Sequence, residues 1–115
     1  EMQQFGLTLE LKDDPEIIAK YKEHHAKPWL EPLQGAKDVG VVDMKIFLLG
    51  TRMFMYLTTV DDFVPERDFA RYMEQNTKAR EWDDLMRTFQ QKVPEAKEDE
   101  WWATMELVFD MQLHI

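Results

Sequence analysis

The segment VGVVDMKIFLLGTRMFMYLTTV (residues 39–60) consists of two apolar runs that are separated by Gly50 and Thr51. Two such runs on either side of a two-residue loop are typical of a β-hairpin, and a glycine in the first loop position fits a type II′ turn. We therefore predict two antiparallel strands, over roughly residues 39–49 and 52–60.

The first of these two predicted strands is apolar on both of its faces. Its side chains fall into two sets, with Val42, Met44, Ile46 and Leu48 on one face and Val41, Phe47 and Leu49 on the other. Helices in a small domain cover only one face of such a sheet, so the second apolar face needs another cover. A second copy of the chain is the simplest cover, and we expect a homodimer.

Two further strands are predicted near the ends of the chain. FGLTLEL (residues 5–11) alternates between apolar and more polar side chains, as a half-buried strand does. TMELVFDM (residues 104–111) alternates in the same way, and its apolar face is expected to hold Met105, Leu107, Phe109 and Met111.

Helical segments are predicted on both sides of the hairpin. In residues 12–35, Asp13 or Asp14 is suited to cap the helix, Pro15 to occupy its first turn and Pro28 to end it near Lys27. Gly35 is expected to mark the far end of this segment. In residues 64–94 we expect a second helical segment, with a break and a new cap at Asn76 and Thr77.

The predicted order is strand, helix, strand, strand, helix, strand. This is the order of the ferredoxin-like βαββαβ sandwich, an α+β fold in which the helices lie on one face of an antiparallel sheet. A chain of 115 residues is long enough for one such core, so we expect a single domain over residues 1–115.

The composition narrows the classes of partner and chemistry. A net charge of −9 disfavours nucleic acid and anionic membranes but leaves neutral ligands open. The absence of cysteine excludes disulfides and thiolate zinc sites, and the absence of serine disfavours hydrolases that use a serine nucleophile. No apolar run approaches the roughly 20 residues of a membrane span, and no signal peptide is recognised, so a cytoplasmic location is expected.

Tyr21 and His25 are the first candidates for chemistry because residues four apart lie on one helix face. A phenol and an imidazole together donate and accept protons near neutral pH. On spacing alone the other interpretation is favoured, in which both rings pack and His25 bonds a helix carbonyl. His24 lies about 100° around the helix and is expected in solvent. No converging set of ligands is apparent, so no metal is predicted.

The four tryptophans are candidates for sugar contacts because flat rings stack on the C–H faces of sugars. Trp29 and Trp82 are expected to pack in the core. Trp101 and Trp102 follow the acidic loop EAKEDE (residues 95–100), and one of these two rings is expected to line a pocket or an interface.

An ordered set of motifs resembles the L-rhamnose mutarotase family over nearly the whole chain. YKEHHAKPWLEPL (residues 21–33) resembles its Y-x-x-x-H-x-x-x-W segment, and residues 40–62 its central hairpin. AREWDDLM (residues 79–86) is similar to its R-W-W-x-x-M helix, and MELVFDM (residues 105–111) to its closing strand. The resemblance implies a dimeric α/β barrel that interconverts the α and β anomers of L-rhamnose without a cofactor.

The resemblance also assigns roles to residues. His25 would be the catalytic acid/base and Tyr21 a substrate-binding hydroxyl. This chain departs from the family pattern at Glu81, where a tryptophan is usual, and at Met44, where a tyrosine is usual. We hypothesise that Trp101 or Trp102 refills the lost aromatic surface. The predicted substrate-binding residues are Tyr21, Met44, Glu81, Trp82, Trp101 and Trp102.

The predicted function is a sugar mutarotase for L-rhamnose or a related neutral or 6-deoxy sugar. Two alternatives stay open at this point. One is a non-catalytic dimeric α/β barrel that binds a ligand, which the changes at Met44 and Glu81 favour. The other is a monooxygenase-type protein of the same fold, which needs an apolar pocket.

Overall fold

A computed structural model of the chain describes residues 2–115. The strands are β1 (Met2–Leu11), β2 (Val41–Leu49), β3 (Arg52–Val60), β4 (Gln90–Gln91) and β5 (Ala103–Thr104). The helices are α1 (Pro15–Ala26), α2 (Leu30–Asp38), α3 (Pro65–Gln75) and α4 (Thr77–Arg87), and a short 3-10 helix covers Met111–Leu113.

The strands form one antiparallel sheet in the order β2-β3-β1-β4, and β5 also pairs with β1. The predicted hairpin is confirmed, because Leu49 pairs with Arg52 across a turn in which Gly50 has φ +64°. A positive φ at this position is what a type II′ turn requires. The α+β, ferredoxin-like prediction is confirmed by this topology.

The helices bury one face of the sheet. Alternate residues of β1, namely Leu7, Leu9 and Leu11, are buried on this inner face, and Met53 of β3 lies beside Leu9. Burial of these apolar side chains beneath the helices is the main favourable term in the stability of such a sandwich. Two adjoining clusters make up the core, one around Leu7 and Leu57 and the other around Leu9 and Tyr21.

A β-bulge corrects the predicted alternation at the start of β2. Val41 pairs with Thr59, but the next paired residue is Asp43, opposite Thr58, so one extra residue is inserted. Val41 is consequently buried in the core, whereas it was expected on the same face as Phe47. A bulge moves the residues on one side of the inserted residue to the opposite face of the sheet, and a simple alternating pattern does not predict this change.

The helix ends follow the predicted caps, with one correction. Asp14 accepts a hydrogen bond from the Glu16 N–H at 2.9 Å, and α1 ends at Ala26. Asn76 caps α4 by accepting from the Ala79 N–H at 2.9 Å. Gly35 was expected to end its segment, but it lies inside α2, which continues to Asp38.

The predicted last strand is much shorter than expected. β5 holds two residues, and Met105 adds one further hydrogen bond, from its N–H to the Gly6 carbonyl at 2.8 Å. The apolar side chains beyond it are exposed, with Leu107 at 71% and Phe109 at 67%. Alternation indicates that a segment can form a strand, but the pairing of this segment with β1 ends at Met105.

Gly35 lies where α2 approaches α4, and we expect Gly35→Ala to lower the free energy of unfolding by about 1–3 kcal/mol through overpacking. A Cβ atom at this position would lie 2.6 Å from Asn76 Nδ2 and 3.3 Å from Tyr72 Cε1. The Asn76 side chain is held on both sides, since its Nδ2 donates to the Glu31 carbonyl at 2.9 Å while its Oδ1 caps α4. Urea unfolding measures the change.

Lys37→Ala is the control for this prediction, because Lys37 is an exposed position of the same helix. It should change stability by no more than about 0.5 kcal/mol. A stabilised Gly35→Ala variant, as ordinary helix propensity favours, would contradict the expectation.

Candidate functional site

Tyr21 and His25 lie one turn apart on α1 and stack on each other, with ring centroids 4.2 Å apart. Both rings line an open cavity of about 360 Å³ that lies between α1, α2 and β2. The lining residues are Tyr21, Lys22, His25, Pro28, Leu33, Met44 and Ile46. The cavity walls are therefore mostly apolar, with a phenol, an imidazole and an amine among them.

The tautomer of His25 follows from its hydrogen bond. Nδ1 lies 2.9 Å from the Tyr21 carbonyl oxygen, which accepts only, so Nδ1 carries a proton. Burial lowers the pKa of His25, and the bond to the Tyr21 carbonyl opposes this shift in part. At neutral pH the neutral imidazole is therefore favoured, and its lone pair is on Nε2.

Tyr21 is held as a neutral phenol. Burial raises the pKa of Tyr21 to about 12, and the hydrogen bond from Gln90 lowers it in part. Gln90 Nε2 donates to the Tyr21 hydroxyl oxygen at 3.4 Å, at the long end of the hydrogen-bond range. Gln90 is buried, and nothing in the sequence marked it as a functional residue.

Trp82 packs against His25, with ring centroids 5.4 Å apart, so it contributes to the burial of the imidazole. Trp29 was expected in the core, but its ring is half-buried and meets the Trp82 ring edge-to-face, with ring centroids 5.2 Å apart. The Lys78 ammonium lies 5.8 Å from the centre of the Trp29 ring. The rings of Trp29, Trp82 and His25 therefore form one aromatic cluster, in which His25 is the member that lines the cavity.

The expectation that His24 is solvent-exposed is wrong. His24 is half-buried and stacks on Phe89 with ring centroids 5.7 Å apart, and its edge meets Trp82 at 6.1 Å. The end of α4 and the residues after it pack against α1 and cover this side of the helix. His24 is not among the residues that line the cavity.

The remaining predicted site residues lie at different places. Met44 lines the cavity together with Tyr21 and His25. Glu81 is half-exposed, pairs with Lys78 at 3.5 Å and is not part of the lining. Its assignment to substrate binding stays a prediction.

Neither Trp101 nor Trp102 is among the lining residues of this cavity. Trp102 packs against both core clusters. Trp101 is half-buried, and its Nε1 donates to Gln90 Oε1 at 2.8 Å. The hypothesis that one of these rings refills the aromatic surface of the pocket stays untested, but Trp101 reaches the site through Gln90.

Residues 2–115 contain neither a cluster of metal ligands nor a helix suited to span a membrane. No group of three or more histidine, aspartate or glutamate side chains is arranged to hold a metal ion. Within the same residues, no helix combines the length and the apolar character that crossing a membrane requires.

The chain matches the L-rhamnose mutarotase family model over residues 4–111. The protein therefore belongs to the L-rhamnose mutarotase family, as the motifs predicted.

Two curated relatives cover most of the chain. A UPF0734 protein of Dictyostelium discoideum is 46% identical over 110 residues, which are 93% of this chain and 88% of the relative. An L-fucose mutarotase of Xanthomonas campestris pv. campestris is 29% identical over 110 residues, 94% of this chain and 87% of the relative.

Two solved structures share the fold. The L-rhamnose mutarotase of Formosa agariphila superposes with a TM-score of 0.68 at 23% identity, over 95% of this chain and 98% of that one. Tetracenomycin F2 cyclase of Streptomyces glaucescens, a type-II polyketide cyclase, gives a TM-score of 0.61 at 15% identity, over 94% and 95% of the two chains. At these identities the likeness concerns the fold alone.

The burial of His25 yields a prediction for its titration. We expect the His25 ring to titrate below its ordinary value of about 6.5, and Trp82→Ala to raise the pKa towards that value by exposing the ring. The neutral base then persists to lower pH than in an ordinary histidine. Histidine-ring NMR across a pH series measures both midpoints. A wild-type midpoint at or above 6.5, or no change in the variant, would contradict this account.

Proposed function

We propose that this protein is a sugar mutarotase that interconverts the α and β anomers of L-rhamnose or a related neutral 6-deoxy sugar. The observation that carries the proposal is the stacked Tyr21–His25 pair on the wall of the cavity, in a chain that belongs to this family. Two of its relatives are described as mutarotases of L-rhamnose and L-fucose, which are both neutral 6-deoxyhexoses.

The reaction needs one proton donor and one proton acceptor. Removal of the proton from the anomeric hydroxyl and protonation of the ring oxygen break the bond between C1 and the ring oxygen and release the open-chain aldehyde. Rotation about the C1–C2 bond and closure on the other carbonyl face form the other anomer. During closure the base gives its proton to the new anomeric oxygen and the donor takes its proton back from the attacking hydroxyl, so the protein is left unchanged.

His25 suits the role of the base, because its Nε2 carries the lone pair when Nδ1 is bonded to the Tyr21 carbonyl. Tyr21 suits the role of the donor towards the ring oxygen, since its phenol is neutral and the hydrogen bond from Gln90 leaves the hydroxyl proton unused. General acid–base assistance of this kind contributes about 10²–10⁴ in rate. The chain's own residues supply both groups.

The cavity also supports a neutral and partly apolar substrate. Its volume of about 360 Å³ is at the small end of the range for small-molecule sites. Leu33, Met44 and Ile46 form an apolar wall suited to the methyl group of a 6-deoxy sugar. The net charge of −9 disfavours sugar phosphates and sugar acids.

A second candidate function is binding of a small ligand without catalysis. Met44 favours it, because this side chain lines the cavity where the family pattern has a tyrosine, and a thioether makes weaker hydrogen bonds than a phenol. The mostly apolar walls of the cavity meet the requirement of the monooxygenase alternative for an apolar pocket, but they suit a 6-deoxy sugar equally and so do not distinguish the two functions.

We further propose that the protein is a homodimer. The outer face of the sheet exposes large apolar side chains, among them Phe47 at 57%, Leu49 at 86%, Phe54 at 38% and Tyr56 at 40%. Phe47 and Phe54 stack on each other across the two strands, with centroids 6.2 Å apart. An exposed apolar patch of this kind on a sheet is typical of an interface.

The mutarotase proposal is tested by saturation-transfer NMR on L-rhamnose, L-fucose and their non-deoxy analogues. We expect the protein to accelerate anomer exchange of at least one 6-deoxy sugar. His25→Ala should lose about 100-fold or more of this activity, because the base is removed. No acceleration of any sugar by the wild type would refute catalysis, and sugar-dependent quenching of tryptophan fluorescence would then favour the binding alternative.

His24→Ala is the matched control, since it makes the same change one residue earlier, outside the cavity lining. It should keep most of the activity. Circular dichroism must show that both variants fold. Equal losses in the two variants would contradict the assignment of His25.

The dimer is tested by sedimentation equilibrium of the wild type and of Phe47→Asp. We expect the wild type to sediment as a dimer and Phe47→Asp to shift towards the monomer, because a carboxylate in an apolar interface is costly to desolvate. Leu30→Asp is the control, with the same kind of change at an exposed position of α2. A monomeric wild type at micromolar concentration would overturn the proposal.

A further inference from the structure

We propose that Trp101 and Gln90 are positioning residues that set the direction of the hydrogen bond at Tyr21, so that the phenol acts as a proton donor in the cavity. The inference rests on the proposed mutarotase function and assigns a role to two residues outside the cavity wall. Its basis is the hydrogen-bond chain that runs from Trp101 through Gln90 to Tyr21.

The orientation of the Gln90 amide follows from Trp101. An indole N–H donates and never accepts, so the atom of Gln90 that lies 2.8 Å from Trp101 Nε1 has to be the amide oxygen. The amide NH₂ group consequently lies on the other side, where it faces the Tyr21 hydroxyl at 3.4 Å. A flipped amide would place two donors against each other at Trp101.

The amide in turn orients the Tyr21 hydroxyl. Its oxygen accepts from Gln90, so its own proton has to point elsewhere. Among residues 2–115, Gln90 is the one side chain that forms a hydrogen bond with the Tyr21 hydroxyl. Gln90 thus leaves the proton of Tyr21 unused, and because Tyr21 lines the cavity, the acceptor assigned to this proton is an oxygen of the bound sugar, such as its ring oxygen.

His25 has the opposite polarity. Its Nδ1–H donates a hydrogen bond to the Tyr21 carbonyl, and Nε2 is left as an acceptor. Two stacked rings, 4.2 Å apart, therefore present one donor and one acceptor. Mutarotation requires this combination, since one oxygen gains a proton while the other loses one.

The hydrogen-bond chain is held in place at each member. The backbone of Gln90 pairs with Leu11 of β1, and its side chain is buried. The Arg87 guanidinium lies 4.6 Å from the centre of the Trp101 ring, and Asp83 holds Arg87 through an ion pair of 2.7 Å. The Arg87 guanidinium over the ring and the hydrogen bond to Gln90 together restrain the direction of the indole N–H.

The test is a double-mutant cycle on anomer exchange with Trp101→Phe and Tyr21→Phe. Trp101→Phe keeps an aromatic ring but removes the N–H, so the Gln90 amide is free to flip and to accept the Tyr21 proton. We expect kcat to fall about 10-fold with KM within about twofold. In the Tyr21→Phe background the same change should cost nothing further, because no phenol proton is left to orient.

Trp29→Phe is the control for loss of an indole, since Trp29 lies outside the hydrogen-bond chain, and it should keep kcat within about twofold. A purely structural role of Trp101 would give equal losses in both Tyr21 backgrounds. That result, with an active wild type, would overturn the inference and leave the mutarotase proposal intact.

A second measurement does not depend on activity. In ¹⁵N-labelled protein we expect Gln90→Met to shift the indole N–H resonance of Trp101 and to speed its hydrogen exchange, because methionine is a poor acceptor. Gln91→Met is the control at the exposed neighbouring position of β4. An unchanged Trp101 resonance in Gln90→Met would overturn the hydrogen-bond chain itself, whereas an inactive wild type would refute the mutarotase function.

Discussion

Backbone pairing along both edges of β1 is the constraint on which the rest of the structure depends. One edge pairs with β3 from Met2 to Glu10, and the other edge is divided between the short strands β4 and β5. The pairing of Leu11 with Gln90 places the Gln90 side chain beneath α1, where it meets Tyr21. The central strand thus aligns the inner face of the sheet and also brings a polar side chain from a distant part of the sequence to the candidate site.

The site combines buried polar groups whose directions are set by groups with a single hydrogen-bonding role. The Tyr21 carbonyl only accepts, so it fixes the tautomer of His25. The Trp101 indole N–H only donates, so it fixes the orientation of the Gln90 amide. Buried polar groups that are left unpaired cost free energy, which favours one arrangement over its flipped alternatives. Trp82 packs against His25 and helps to bury it, and this burial lowers the pKa of His25 because it disfavours the charged imidazole.

The two faces of the sheet have different surroundings, and this difference links the fold to the proposed dimer. Helices cover the inner face, whereas Phe47 and Leu49 lie exposed on the outer face. The segment after β5 is also apolar and exposed, with Val108 at 85%. A sheet with one open apolar face and an unpaired apolar segment beside it has surface available for a second copy of the chain.

Much of the fold and the centre of the site could be predicted from local sequence. The Gly50 turn, the caps at Asp14 and Asn76, and the i, i+4 spacing of Tyr21 and His25 act within a few residues, and the chain's local stereochemistry and hydrogen bonding decide them. Motif resemblance then identified the family, because its motifs recur in order along the chain.

The tertiary structure decided whatever depends on distant segments. The bulge beside Val41, the short β5 and the half-buried position of His24 each depend on which segment packs alongside. Gln90 joined the site only because β4 pairs with β1, some eighty residues earlier in the chain. Local sequence determines what a segment is able to form, whereas the identity of its neighbours, and hence the direction of each buried hydrogen bond, is determined only when the whole chain packs.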